Sequence, residues 1–335
     1  MNNYLVVGGG GFIAGHLIKT LIDTGAKVRA VDIKPSEFWF QRFEQVENFS
    51  LDMTDLNNCM QMTKDIDYVL NLACNMGGIG FIENNKAECM MSVLINTHML
   101  MACRKNKVKK YFFSSSACAY NTELQKNADI DGLKETDAYP AMPEDGYGWE
   151  KLFSERMCRH FYEDYGLETR IARFHNIYGP LGTFDGGREK APAALCRKVI
   201  EAKMSQKNSI DIWGDGNQTR SFLYIEDCVE AILKLFNSDF RDPINIGSEE
   251  KVSINQLVDI IENISGVKLK RNYQLDKPKG VNGRSSNNDL IKKVLQWDYN
   301  YSLKDGINKT YNWIDHMYNT KPNNDFIKFT RNNYS

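Results

Sequence analysis

The sequence predicts an α/β protein in which a doubly wound parallel sheet is followed by a smaller α/β C-terminal lobe. Three observations carry this expectation. Strand-like and helix-like runs alternate through the first half, the pattern of a parallel sheet covered by helices on both faces. A glycine-rich turn separates the first strand from the first helix. The length, 335 residues, exceeds what one small core uses and suggests about two domains.

In order along the chain, Tyr4–Val7 is a short β-type run. Phe12–Thr24 places Ile13, Leu17, Ile18 and Leu21 on one helical face, with Gly25 as its stop. Lys27–Ile33 is strand-like, a third strand precedes Asp52, and Asp67–Ala73 is a fourth. Cys89–Arg104 reads as a helix with a Met- and Leu-rich face, followed by a strand at Lys109–Ser114. Beyond about Ile171 the pattern loosens into a Gly turn, an extended segment and a helix from Asp227. The expected division is residues 1–170 for the first domain, with 210–230 returning to it, 171–320 for the lobe, and 321–335 as a polar, Asn-rich surface tail.

Forty-two basic residues balance forty-three acidic ones, so no field exists to hold a nucleic acid or a membrane surface. No apolar run approaches the roughly 18 residues of a membrane helix, and the N-terminus lacks the features of a signal peptide. Eight cysteines occur without a C-x-x-C pair, which suggests neither a metal site nor a redox dithiol. Reduced thiols and a cytoplasmic location are expected.

Gly8, Gly11 and Ala14 in GGGGFIAG stand between strand and helix, with Phe12 and Ile13 opening the helix. Such a turn lets backbone approach a pyrophosphate at free helix N–H groups, as in a Rossmann domain. Asp32 lies about 20 residues on, where a carboxylate accepts from ribose hydroxyls and disfavours a 2′-phosphate. NAD is therefore the expected cofactor, although Lys34 is close by. Asp52 fits either a contact to adenine or a solvated loop acid.

Tyr147 and Lys151 sit at i and i+4, on one helix face, where the lysine can lower the phenol pKa. Tyr273 and Lys277 share the spacing, in a segment read as loop. Cys118, in SSSACAY at a strand exit, fits two roles. Unpaired cysteine usually packs as a small hydrophobe; beside a cation it can instead be a general base. Lys190, after the Gly186–Gly187 bend, is a solvated loop residue or a proton donor. His175 reads as structural.

The motifs VVGGGGFIAGH, NLAC, SSSACAY, YGWEK, RFHNIYGP, TRSFLYIEDCVEAI and NIGS together resemble the extended short-chain dehydrogenase/reductases that modify nucleotide sugars. The resemblance implies NAD-dependent oxidation at sugar C4 by Ser116, Tyr147 and Lys151. Dehydratases of that family carry Asp-Glu where this chain has Ala117-Cys118. NMGGIGF, GGREKAPAA and GRSSNN are similar to the 3,5-epimerases that act on GDP-mannose, though Asn121–Asp131 departs from their pattern. That likeness implies Cys118 as base and Lys190 as donor at C3 and/or C5, with a GDP-sugar substrate favoured. It also implies sugar contacts from Gly77, Gly78 and Asn176, diphosphate contacts from Arg220 and Arg284, and a homodimer through helices at Glu83–Lys105 and Gly148–Tyr165. A 4-dehydrogenase, a C4-epimerase and a decarboxylase are the alternatives within the family.

Overall fold

The computed structural model describes residues 2–320, so the expected tail at 321–335 lies outside the described residues. The first half alternates as expected: β1 (Asn3–Val7), α1 (Phe12–Asp23), β2 (Lys27–Asp32), β3 (Glu47–Ser50), α2 (Leu56–Met62), β4 (Tyr68–Asn71), α3 (Ile79–Asn84), α4 (Lys86–Lys105), β5 (Lys110–Ser116), α5 (Tyr147–Tyr165) and β6 (Glu168–Phe174). The remainder contains β7 (Ile177–Tyr178), α6 (Ala191–Met204), β8 (Ser209–Trp213), β9 (Thr219–Ser221), β10 (Leu223–Tyr224), α7 (Ile225–Asn237), β11 (Ile244–Ile246), β12 (Lys251–Ser253), α8 (Ile254–Ser265), β13 (Lys270–Gln274), β14 (Gly283–Arg284), α9 (Asp289–Leu295) and α10 (Leu303–Thr320).

Seven parallel strands form the central sheet in the order β11-β6-β5-β4-β1-β2-β3. Its residues alternate between two cores, as the two-residue period of a strand requires. Val6, Leu70 and Phe112 face a core shared with α1, α6, α7, α8 and α10. Leu5, Val7, Val69, Tyr111 and Phe113 face the other, against α2, α4 and α5.

Late in the chain, α7 and β11 lie against elements of the first 170 residues. β11 pairs Ile244 with Ala172, and α7 packs against α1. A three-residue Ile-Asn-Ile strand is too short to show periodicity in a sequence. Residues 209–213 instead pair with 270–274 in a two-stranded parallel sheet of the lobe. That sheet places Tyr273 in a strand, not a loop, with its hydroxyl donating to Asn255 Oδ1 at 3.0 Å.

Candidate functional site

The expected site residues collect at the C-terminal edge of the sheet, where parallel strands deliver their loops. Gly8 (φ +84°) turns the chain out of β1; a Cβ there would stand 2.8 Å from the backbone nitrogen of Ala73. At Gly10 a Cβ would meet the Trp39 indole at 2.4 Å. Gly11 begins α1 with no side-chain cap, so its first amides remain available. Asp32 Oδ2 accepts from Gly10 N (3.0 Å) and Oδ1 from Lys34 N (2.9 Å), while burial raises its pKa. The acid thus fixes the glycine loop as well as standing at the expected ribose position. Asp52 is exposed and turned back on its own loop, accepting from Thr54 N at 2.8 Å.

Ser116 ends β5 and caps a single 3₁₀ turn, its Oγ accepting from Cys118 N at 3.2 Å. Beneath it, Ser115 donates to Glu155, which pairs bidentately with buried Arg173 at 2.8 and 2.7 Å. This network ties β5, β6 and α5 under the site. Tyr147 and Lys151 share a face of α5, both buried. The Tyr147 hydroxyl has Cys74 Sγ at 4.0 Å, and burial, then Cys74 and Cys118, hold its pKa well above the usual value. The Lys151 ammonium lies 3.4 Å from buried Glu150 and is without a hydrogen-bond partner among the described residues. Burial opposes its charge, but Cys74 and Glu150 outweigh that and raise its pKa.

These features fit a dinucleotide. A cradle too tight for side chains leads to uncapped helix amides, and the buried Lys151 ammonium keeps hydrogen-bonding capacity that ribose hydroxyls would use. Gly8, Gly11, Phe12, Ile13, Asp32, Tyr147 and Lys151 are the residues that would hold it.

Two loops close over the thiol. Gly78 N donates to Arg188 O at 3.1 Å, and Arg188 donates to Asn75 Oδ1 (2.7 Å) and Met76 O (3.1 Å) while stacking on Phe81 at 3.8 Å. The turn containing Gly77 and Gly78 is thereby joined to the loop that ends in Lys190, the residue preceding α6. Burial lowers the Lys190 pKa, opposed by the nearby Cys118 and Cys74. Asn176 adopts φ +46° and donates to Ser221 O at 3.0 Å. His175 is structural, as read: its Nε2 meets Asn245 Oδ1 at 2.8 Å, and burial depresses its pKa to about 3.

The two arginines differ. Arg220 donates only to backbone carbonyls of Thr219, Lys279 and Val281, and burial lowers its pKa to about 10, with Arg284 adding to the effect. Its charge is unneutralised by any ion pair among the described residues, so an anion fits beside it. Arg284 turns all its donors inward: Nε to Gln125 Oε1 (2.7 Å), Nη1 to Cys118 Sγ (3.4 Å) and Nη2 to Glu144 Oε1 (2.8 Å). Where a second diphosphate contact was expected, the structure has a thiol contact. A cation therefore does stand beside Cys118, yet burial and then the Glu144 charge push the thiol up to about 11. Glu144 and Gln125 had no sequence motif to single them out, while Glu150 and Cys74 stand inside YGWEK and NLAC without a site role having been read for them.

Residues 4–247 match the NAD dependent epimerase/dehydratase family, and the chain belongs to that family. It is an NAD-dependent nucleotide-sugar epimerase. The chain is 45% identical over 310 residues to GDP-mannose 3,5-epimerase of Arabidopsis thaliana, covering 92% of this chain and 81% of that one. It is 29% identical over 312 residues to a putative UDP-glucose 4-epimerase of Methanocaldococcus jannaschii, covering 92% and 97%. UDP-glucose 4-epimerase of Thermotoga maritima with UDP-glucose shares the fold with a TM-score of 0.83 at 24% identity, covering 94% of this chain and 99% of that one.

Proposed function

We propose that the protein inverts C3, C5 or both in GDP-mannose or a close relative, through a transient 4-ketone. What supports this reading is that Lys190 and Tyr147 both lie within electrostatic reach of Cys118 and Cys74, in a chain 45% identical to a GDP-mannose 3,5-epimerase. When bound, NAD supplies a reversible hydride acceptor at sugar C4. Ser116 Oγ and the Tyr147 hydroxyl orient the C4 hydroxyl and take its proton, and Lys151 favours the phenolate through its charge. The resulting carbonyl acidifies the hydrogens at C3 and C5. Cys118 and Lys190 exchange protons with those carbons, a contribution typically worth about 10²–10⁴-fold. Arg220 meets the diphosphate and Asn176 the sugar, with the Gly77–Gly78 turn against its hydroxyls.

The lobe at 171–320, less the returning segment, holds the nucleotide sugar against the cofactor domain. A homodimer through α4 and α5 follows from their exposed faces, where Met90, Met91, Met101, Trp149 and Phe153 lie in the open. Eight unpaired cysteines accord with a cytoplasmic enzyme. The test is incubation with GDP-mannose in D₂O, followed by NMR and mass spectrometry. Deuterium at C3 or C5 with new GDP-hexose signals is expected. Net NADH without exchange would instead make the protein a 4-dehydrogenase.

A further inference from the structure

Arg220 has no carboxylate partner among the described residues, yet three of its donors are occupied. Nη1 donates to Thr219 O at 2.7 Å, and Nη2 to Lys279 O (3.1 Å) and Val281 O (2.7 Å). A guanidinium carries five N–H groups, so two remain, one on Nε and one on Nη1. The register of β9 against β14 sets Arg220 beside Arg284, whose Nη1 touches Cys118 in the site. Both Nη2 acceptors belong to one short strap, residues 275–282, between β13 and β14. Main chain ties its two ends: Gly214 N donates to Gln274 O at 2.9 Å, and Thr219 N to Asn282 O at 2.9 Å. Between those ties Gly280 adopts φ +66°, flanked by the two residues whose carbonyls hold Arg220. A Cβ at Gly280 would lie 3.1 Å from Ile79 Cδ1 and 3.4 Å from Arg220 Nη2. Glycine thus lets the strap pass between α3 and the guanidinium closely enough for both carbonyls to reach Nη2.

We propose that Gly280 is a positioning residue whose strap fixes the Arg220 guanidinium in advance, so that its two remaining N–H groups receive a nucleoside diphosphate. This deepens the nucleotide-sugar reading and rests on Arg220 as the diphosphate contact. A side chain already held in place loses little freedom when the ligand arrives. Carbonyls suit this task where a carboxylate would not, because they orient the group without neutralising the charge that draws the anion. Arg284 is the contrast: its Nη2 is paired with Glu144 at 2.8 Å, and its other donors face Gln125 and Cys118. Two donors on different nitrogens suit a ligand with oxygens on two linked phosphorus atoms, and a monophosphate would use them less fully. The strap thereby separates a nucleoside diphosphate from the corresponding monophosphate.

The test follows the guanidinium by nitrogen-15 NMR in the NAD-loaded protein, assigned from Arg220→Lys, with GDP and GMP as probes. Without nucleotide, the Arg220 Nη2 protons of the unsubstituted protein should give separate signals, the mark of arrested rotation. GDP should then shift the Nε–H signal, and GMP should shift it much less. Gly280→Ala should merge the Nη2 signals. It should also lower the GDP-to-GMP affinity ratio, read by calorimetry, by roughly tenfold, about the worth of one charge-assisted hydrogen bond. A merely structural role would weaken both nucleotides alike and leave that ratio unchanged. Averaged Nη2 signals in the unsubstituted protein, or an unchanged ratio in Gly280→Ala, overturn the proposal, and the first needs no Gly280 variant to fold. GDP that binds without shifting Arg220, while the Nη2 signals stay separate, removes the diphosphate contact itself and the proposal with it.

Discussion

Gly78→Ala is a sharp probe of how the two loops position Lys190. Gly78 has ordinary backbone angles, φ −66° and ψ 175°, so alanine strains nothing by conformation. Its obstacle is contact: a Cβ would lie 2.5 Å from the carbonyl oxygen of Glu189, about 0.9 Å inside the 3.4 Å at which ordinary contact begins. The oxygen belongs to backbone, and the peptide it sits in leads directly into Lys190. It cannot swing aside as a flexible side chain would. The 186–190 loop must retreat by most of that distance, and the 3.1 Å bond from Gly78 N to Arg188 O must lengthen with it. A misplacement of about 1 Å at a catalytic group can cost about 10²-fold in rate. The expected result is a fall of that order in the rate of deuterium exchange at C3 and C5. NAD content after purification should be unchanged, because a Cβ at Gly78 would meet only Glu189 and not the glycine cradle at Gly8–Gly11. Single-turnover exchange measured alongside bound-nucleotide absorbance separates the two. An undiminished exchange rate in a folded Gly78→Ala protein would refute the claim that this contact sets the lysine.

Gly8→Ala combines positive φ with a 2.8 Å approach to Ala73 N, and should weaken NAD retention by roughly tenfold or more, read by calorimetry or fluorescence quenching. Glu155→Ala leaves Arg173 buried without its carboxylate and should cost about 3–5 kcal/mol in urea unfolding; a loss under about 1 kcal/mol would contradict the buried network. His175, held neutral with a folded pKa of about 3, contributes stability that is present above its unfolded value of about 6.5 and lost as pH falls from there toward 3. Unfolding free energies of the unsubstituted protein should therefore drop between pH 7 and 5 by more than those of His175→Gln, by up to about 1.4 kcal/mol per pH unit; parallel curves would exclude it.

What could be read from sequence was local. The glycine turn, Asp32 at the end of its strand, and Tyr147 with Lys151 one helical turn apart all depend on spacing within one or two elements, and spacing survives in a sequence. Ser116 and Cys118 were visible because a strand exit has its own pattern. The partnership of Cys118 with Arg284 was not, because 166 residues separate them and no periodicity links a strand exit to a two-residue strand in the lobe. Glu144 was hidden for a related reason. An acid three positions before a helical tyrosine resembles any solvated loop residue until the fold brings Arg284 onto it. The same holds for β11, whose three residues become a strand only because β6 is there to receive them.

The late arrival of β11 has a consequence for how the chain is made. β6 is complete at Phe174, but the strand that covers its outer edge is not synthesised until Ile244–Ile246. Between those points a nascent chain carries the unpaired outer edge of β6, with Ala172, Arg173 and Phe174 ready to pair with any other extended segment. The cofactor-binding half cannot mature by itself on the ribosome, although its motifs are all translated first. A truncation made at the apparent domain boundary would release a sheet with an open, adhesive edge, and expression of that fragment should yield aggregate where the full chain yields folded protein.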